Sequence, residues 1–213
     1  MSVDRTRVLL VDDHLVVRNG VRLILGTADD MMVTGEAGSA QEALKLIREQ
    51  EFDVALIDIA LPGKNGLELL KQLRIQRPNM AVLVLSMYAE DVYAVRALRH
   101  GASGYMTKDS SAAVIVAAVR IVATGRKYVS PALVDRLADL LGGTASLPHE
   151  SLSDRELEVL KLLASGNSLV QIANLLYLSP STVTTYRARI LEKTGLKSNA
   201  VLARYALEHG LIS

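Results

Sequence analysis

The 213-residue sequence contains no cysteine. That excludes a disulfide framework and any thiolate metal site, and it fits a reducing compartment. No apolar run approaches the roughly 18 residues that cross a bilayer. The first residues, Met1-Ser-Val-Asp-Arg-Thr-Arg7, hold no apolar signal core. A soluble, cytoplasmic protein with no membrane partner is the expectation. Internal repeats and low-complexity tracts are also missing. Charge is balanced: the net value of +1 says nothing about partners by itself. Divided at Gly125, residues 1–125 hold 14 Lys+Arg against 15 Asp+Glu, and residues 126–213 hold 10 against 8. The basic tilt of the second part is compatible with nucleic acid.

Apolar residues are abundant at 50%, ample for packed cores, and the length allows one or two domains. The informative stretch is Val54-Ala-Leu-Ile57, an unbroken apolar run closed by Asp58 and followed by Ile59-Ala-Leu-Pro62-Gly63. Such a run reads as a strand buried on both faces, as in a parallel sheet covered by helices. Asp58 then sits at the carboxyl end of the strand, where open α/β sheets keep their ligand sites. The run Val8-Leu-Leu-Val11 ends the same way, in Asp12-Asp13. If the two strands are neighbours, three carboxylates meet in one crevice. Like charges about 4 Å apart repel by roughly 4 kcal/mol per pair at an effective dielectric near 20, so a cation is expected among them. Carboxylates with room for water suit Mg²⁺.

Candidate strands cover 7–11, 32–37, 54–57, 81–85 and 104–106, and helix patterns follow each, at roughly 14–26, 39–50, 66–77, 90–100 and 110–124. Ala40, Ala43, Leu44 and Ile47 make one apolar stripe. Ser39 with Glu42 reads as a capping box, and Gly101 and Gly125 sit where helices stop. Five such units predict a flavodoxin-like, doubly wound five-stranded parallel sheet over residues 1–125. Residues 126–151 read as a linker with a helix at about 131–141. Its last ten residues, if flexible, would span on the order of 18 Å.

From 152 on there is no strand pattern. Ser153 and Glu156 form a capping box that opens a helix with Leu157, Leu160 and Leu163 inward, ended by Gly166. A short helix at 169–176 buries Ile172, Ala173 and Leu176. Ser179-Pro180 opens a third helix to about Thr194, with Val183, Tyr186 and Ile190 inward. Thr184, Thr185, Arg187 and Arg189 lie on its other sides. A fourth helix, 199–209, carries Leu202, Tyr205 and Ala206 in an apolar stripe. This is a small all-α four-helix domain containing a helix-turn-helix.

Asp12-Asp13, Asp58, Leu61-Pro62, Gly66, Ser86, Tyr105 and Lys108 together resemble the signature of two-component receiver domains. Leu152-Ser, Arg155-Glu156, Glu158-Val-Leu160, Gly166, Ile172-Ala, Leu178-Ser, Thr182-Val and Lys193-x-Gly-Leu resemble the LuxR-type output domain. The chain thus resembles NarL/FixJ-type response regulators along nearly its whole length. The resemblance implies that Asp58 accepts a phosphoryl group from a sensor histidine kinase. It implies Mg²⁺ held directly by Asp13, by Asp12 partly through water, and by Asp58 and the backbone carbonyl of Ala60. Lys108 and Ser86 would meet phosphoryl oxygens, and Tyr105 would swing inward behind Ser86. Ser181, Thr182, Thr184, Thr185, Arg187, Ala188 and Arg189 would face double-stranded DNA, and Leu202, Tyr205 and Ala206 would supply a homodimer contact on phosphorylation or on DNA. RNA polymerase is the further partner such a transcription regulator, not itself an enzyme, would meet.

The output part departs from the family's usual pattern. Thr184 stands where lysine is common, Tyr186 where histidine is, and Ala188 where a basic residue is frequent. Val170-Gln171 replaces a frequent Lys-Glu, and Asn199 a frequent arginine. Fewer cationic phosphate contacts predict weaker non-specific binding and a shallower salt slope. Two competing readings follow. One is a regulator acting through protein contacts, with a helix-turn-helix that binds DNA poorly. The other is a magnesium phosphatase or phosphotransferase, against which no substrate-cap segment or second acid is found. His14 reads as a solvent-facing first-turn residue, since the expected metal prefers oxygen. His100, His149 and His209 have no nameable partners.

Overall fold

Unbroken apolar runs of four to six residues bury both faces of a strand, and a parallel sheet is the arrangement that accepts them. The computed structural model bears this out. It describes residues 5–61, 65–87, 90–131, 133–134, 137–138 and 147–212, and of residues 90–92 the backbone alone. Five strands form one parallel sheet in the order β2-β1-β3-β4-β5. They are β1 (Thr6–Val11), β2 (Met31–Ala37), β3 (Val54–Ile57), β4 (Ala81–Ser86) and β5 (Gly104–Thr107). The helices between and after them are α1 (Leu15–Gly26), α2 (Ala40–Glu49), α3 (Gly66–Gln76), α4 (Glu90–Arg99) and α5 (Ala112–Ala123). Every residue of β3 and β4 is buried.

The register places the site. Val11 pairs with Ile57, so β1 and β3 end level and Asp12 and Asp58 leave the sheet side by side. The Asp58 amide donates to the Val11 carbonyl at 2.8 Å. Ser86 pairs with Thr107, and the Lys108 amide donates back to the Ser86 carbonyl at 2.8 Å. This order reverses at β1, which is where an open α/β sheet forms its crevice.

Local signals mostly hold, with informative departures. Ser39 caps α2 by accepting from the Glu42 amide, but the Glu42 carboxylate reaches the Gly38 amide at 2.8 Å rather than that of Ser39. The reciprocal half of the expected capping box is therefore displaced by one residue. Arg126 does not begin a linker: the Tyr128 amide donates to the Ser103 carbonyl, and Tyr128 bridges Gly104 at the sheet edge. Residues 1–137 cluster as one unit and 138–213 as another. The expected helix at about 131–141 is helical at the residues described, while 139–146 lie outside the described residues. Pro148–Ser151, expected as the end of a flexible linker, is a 3₁₀ turn. It packs by burying His149, whose Nδ1 lies 2.8 Å from the Tyr205 hydroxyl.

The second unit holds α6 (Asp154–Ala164), α7 (Leu169–Leu176), α8 (Pro180–Thr194) and α9 (Asn199–Glu208). Serine caps all four, through Ser153, Ser168, Ser179 and Ser198. Each accepts from an amide that would otherwise lack an intrahelical partner, a contribution of about 1 kcal/mol apiece. Ser153 with Glu156 and Ser168 with Gln171 complete capping boxes. The α7–α8 turn passes through Tyr177 at φ 54, a left-handed conformation a side chain seldom adopts. Leu157, Leu160, Leu163, Ile172, Ala173, Leu176, Val183 and Ile190 are buried as their spacing predicts, whereas Tyr186 is only half-buried.

Lys161 on α6 is buried as well, which its spacing does not announce. Burial holds its ammonium down to about 7, against the opposing attraction of Glu158. Between about pH 7 and 10 the unfolded chain then binds a proton that the folded chain does not, so folding stability rises with pH across that window. Denaturant titrations of wild type and Lys161→Met at the two ends should show the wild type gaining on the order of 4 kcal/mol relative to the variant. Parallel pH profiles would refute the buried cation.

Candidate functional site

The first candidate site is the crevice above β1, β3, β4 and β5. Asp12 and Asp58 follow buried strands and are themselves buried, at 6% and 3% exposure. Lys108, one residue past β5, reaches across to both. Its Nζ lies 2.5 Å from Asp12 Oδ2 and 2.7 Å from Asp58 Oδ2. The other Asp58 oxygen, Oδ1, accepts from the Ala60 amide at 3.2 Å. Asp13 points outward, and His14 Nδ1 lies 2.8 Å from its Oδ1 and 3.3 Å from Asp12 Oδ1. Carboxylate oxygens of Asp12, Asp13 and Asp58 and a ring nitrogen of His14 all lie within 4.8 Å of one another. Ser86 and Tyr105 are fully buried beneath. The inward placement expected of Tyr105 only after a swing is thus already its position here.

Two further neighbours shape this crevice: Arg18, which no sequence motif marks, and Gly66, which belongs to the receiver-like signature. Arg18 on α1 donates through its guanidinium to the Asp12 carbonyl, and its Nε stands 3.5 Å from Glu36 Oε2 at the end of β2. Gly66 opens α3 against the loop that carries Asp58. A Cβ there would come within 2.0 Å of the Asp58 carbonyl oxygen, so only glycine lets the helix approach this closely. The spacing from Asp12 to Arg18 along α1 was the available signal for the first, and the helix-initial glycine for the second.

The charges oppose one another. Burial pushes the Asp58 carboxyl above the usual carboxylate range, while the hydrogen bond and charge of Lys108 pull it back. Burial likewise disfavours the Lys108 ammonium, but Asp12 and Asp58 together hold its affinity for the proton above the ordinary lysine value. With the ion pair closed at 2.7 Å, the arrangement favours a charged Lys108. The donor set facing the crevice mouth is oxygen-rich, the chemistry that suits a hard divalent cation. A carboxylate held beside a cation and a metal-competent acidic pair is equipped to accept an electrophilic phosphoryl group.

The second candidate site is the outward face of α8. Ser181, Thr184, Thr185, Ala188 and Arg189 are exposed, and Thr182 and Arg187 half-buried. Ser179 Oγ gathers Ser181 Oγ and Thr182 Oγ1, each at 2.8 Å. Arg187 Nε donates to Asn199 Oδ1 on α9 at 2.7 Å. That partner stands where the family's frequent arginine is missing, so the departure acquires a role as a brace. The stripe Leu202, Tyr205 and Ala206 does not offer the expected dimer contact. Leu202 and Ala206 are fully buried in their own unit, and Tyr205 is half-buried against His149 and His209. Periodicity marks a helix's apolar face, but the domain's own core takes that face first.

The family model of the response regulator receiver domain matches residues 8–120, and that of the bacterial regulatory proteins of the luxR family matches residues 150–206. The response regulator GacA of Pseudomonas viridiflava is 38% identical over 208 residues, covering 97% of each chain. A crystal structure of the response regulator ChrA of a heme-sensing two-component system is similar with TM-score 0.54 at 32% identity, covering 98% of this chain and 100% of that one. RcsB of Salmonella enterica serovar Typhimurium, bound to promoter rprA with phosphomimetic BeF3⁻, shares the fold with TM-score 0.71 at 22% identity, covering 94% and 98%.

Lys108→Met leaves Asp12 and Asp58 facing each other without their shared ammonium. The expected loss is about 3 kcal/mol at neutral pH. Asp58, already raised by burial, rises further. Its folded form then keeps a proton where the unfolded carboxyl has lost it, so the variant regains stability as pH falls from about 7 toward 5. Urea denaturation across that range checks this, and a variant whose stability does not respond to pH rejects the bridge.

Proposed function

This chain belongs to the two-component response regulators that join a receiver domain to a LuxR-type DNA-binding domain, and we propose that Asp58 is the residue through which phosphorylation controls it. The observation that carries the reading is the Lys108 ammonium shared by Asp12 and Asp58 at the ends of three strands. The donor is a phosphohistidine of a sensor kinase. An Asp58 carboxylate oxygen attacks phosphorus in line, the phosphorus–oxygen bond forms as the phosphorus–nitrogen bond breaks, and the nitrogen electron pair returns to the histidine. Protein groups contribute mostly position and charge to such a transfer. Asp12, Asp13, Asp58 and the Ala60 carbonyl would hold Mg²⁺, whose charge offsets that of the phosphoryl oxygens. Lys108 leaves its contact with Asp12 to pair with a phosphoryl oxygen, and the buried Ser86 hydroxyl receives another.

Adding a group of about −2 charge beside a buried bridge forces that bridge to rearrange, with Ser86 and Tyr105 beneath it on β4 and β5. The regulator then acts as a dimer on DNA, presenting two copies of α8 to half-sites about one turn or a multiple apart. RNA polymerase is the partner through which such binding would change transcription. The cytoplasm is the compartment proposed, and among the described residues no helix is long and apolar enough to cross a membrane.

Acetyl phosphate with Mg²⁺ should add one phosphoryl mass to the intact wild-type chain and none to Asp58→Ala. Equal addition to both rejects Asp58 as acceptor. Arg187→Ala with Arg189→Ala should strongly weaken retardation of genomic fragments in gels and flatten the salt dependence of the residual binding by about one slope unit per phosphate contact removed. Unchanged retardation would remove α8 from the DNA interface.

A further inference from the structure

The exposed face of α8 carries a feature that charge and family membership do not account for. Ser181, Thr184, Thr185 and Ala188 fall at i, i+3, i+4 and i+7, one straight stripe along the helix, and all four are exposed. None is charged or long. Their hydroxyls are already engaged within the helix. Thr184 Oγ1 donates to the Pro180 carbonyl at 3.0 Å, and Thr185 Oγ1 to the Ser181 carbonyl at 3.1 Å. Ser181 Oγ lies 2.8 Å from Ser179 Oγ.

A threonine hydroxyl bonded to the carbonyl four residues back fixes χ1, because Cβ carries both branches. With its proton so committed, each threonine offers a ligand its γ-methyl, beside an oxygen that can only accept. With the Ala188 β-methyl, the stripe becomes a short apolar strip between two cationic flanks. Arg187, braced by Asn199, stands on one side and Arg189 on the other. Arginines on phosphates set position without reading sequence, while short side chains between them meet base edges. In the major groove, guanine, adenine and cytosine edges present donors and acceptors along this line. Thymine alone among the four bases adds a methyl group, and threonine and alanine methyls are the side-chain groups that match it.

We propose that Thr184, Thr185 and Ala188 form a methyl-reading strip that selects duplex DNA carrying thymine 5-methyl groups in the major groove opposite them. The inference rests on the reading of α8 as the DNA-contacting helix. It deepens that reading by naming the base feature recognised. It also gives the missing lysine and basic residue at positions 184 and 188 a consequence. The reading face exchanges phosphate attraction for apolar contact, so thymine content weighs more in target choice than it would on a basic face.

The full chain, treated with acetyl phosphate and Mg²⁺, is used to enrich bound duplexes from a random-sequence pool. The enriched duplex is then remade with deoxyuridine at one thymine at a time, which removes only the methyl. Affinity should fall about fourfold per methyl at one to three neighbouring positions, the worth of burying one such group, and stay level elsewhere. In Thr184→Ser with Thr185→Ser, which keeps the hydroxyl and loses the methyl, the deoxyuridine effect should vanish at the positions facing those two residues and survive at most at the one facing Ala188. Deoxyuridine without effect at every position overturns the proposal using the wild-type chain alone. A loss that persists undiminished at all of these positions in the double variant overturns it too, since the methyls are then read by something else. Enrichment of no duplex at all sinks both this proposal and the DNA-binding role of α8, whereas enrichment with indifference to the methyls sinks only the strip.

Discussion

The receiver unit depends on one shared ammonium. Asp12 and Asp58 are buried, level and close, because the β1–β3 register makes them so. Two ionised carboxylates in that position would repel, and desolvation would add to the penalty. Lys108 resolves the conflict from the end of β5, two strands away from Asp58's own, with contacts of 2.5 and 2.7 Å. The same feature makes the site responsive. A new charge on Asp58 competes for the ammonium that holds the crevice together, so chemistry at one oxygen becomes a structural event at several strand ends. Gly66 and Arg18 serve this geometry from outside, the one by letting α3 close on the Asp58 backbone, the other by holding the Asp12 carbonyl.

The output unit solves a different problem. Its four helices are short, from 8 to 15 residues, and isolated helices of that length are marginal in water. Serine caps at every helix start and a common apolar centre make them persist. The Glu156–Lys193 pair, at 2.6 Å, ties α6 to the end of α8. Holding α8 rigidly leaves its outward side free of structural duty. That side then differs from a generic basic face: its hydroxyls are used internally, one arginine is braced, and its centre is methyl-lined.

Much of this was legible in the residues. Val54–Ile57 reads as a doubly buried strand and is one, and the five strand–helix units appear in order. Ser153-x-x-Glu156 and Ser179-Pro180 mark helix starts that the structure confirms to the residue, because caps act over a few bonds and need no tertiary partner. The misses share another cause. Leu202 and Ala206 were legible as an apolar stripe but not as core, since periodicity reports a face and not its occupant. Pro148–Ser151 looked like linker by composition, yet His149 folds against Tyr205, a residue 56 positions away. Lys161 is polar by type and buried by location.

The order of residues by itself determined the elements, their caps, the parallel sheet and the identity of the acidic and basic groups at strand ends. These follow from side-chain period and local hydrogen bonding, which a single chain segment settles within a few residues. Only the tertiary structure decided that Lys108 spans Asp12 and Asp58, that Tyr105 lies inside, that Arg187 leans on Asn199, and that the α9 stripe faces its own core. Each of those is a meeting of residues far apart in sequence. Sheet register and helix packing fix such distances, and no local pattern encodes them.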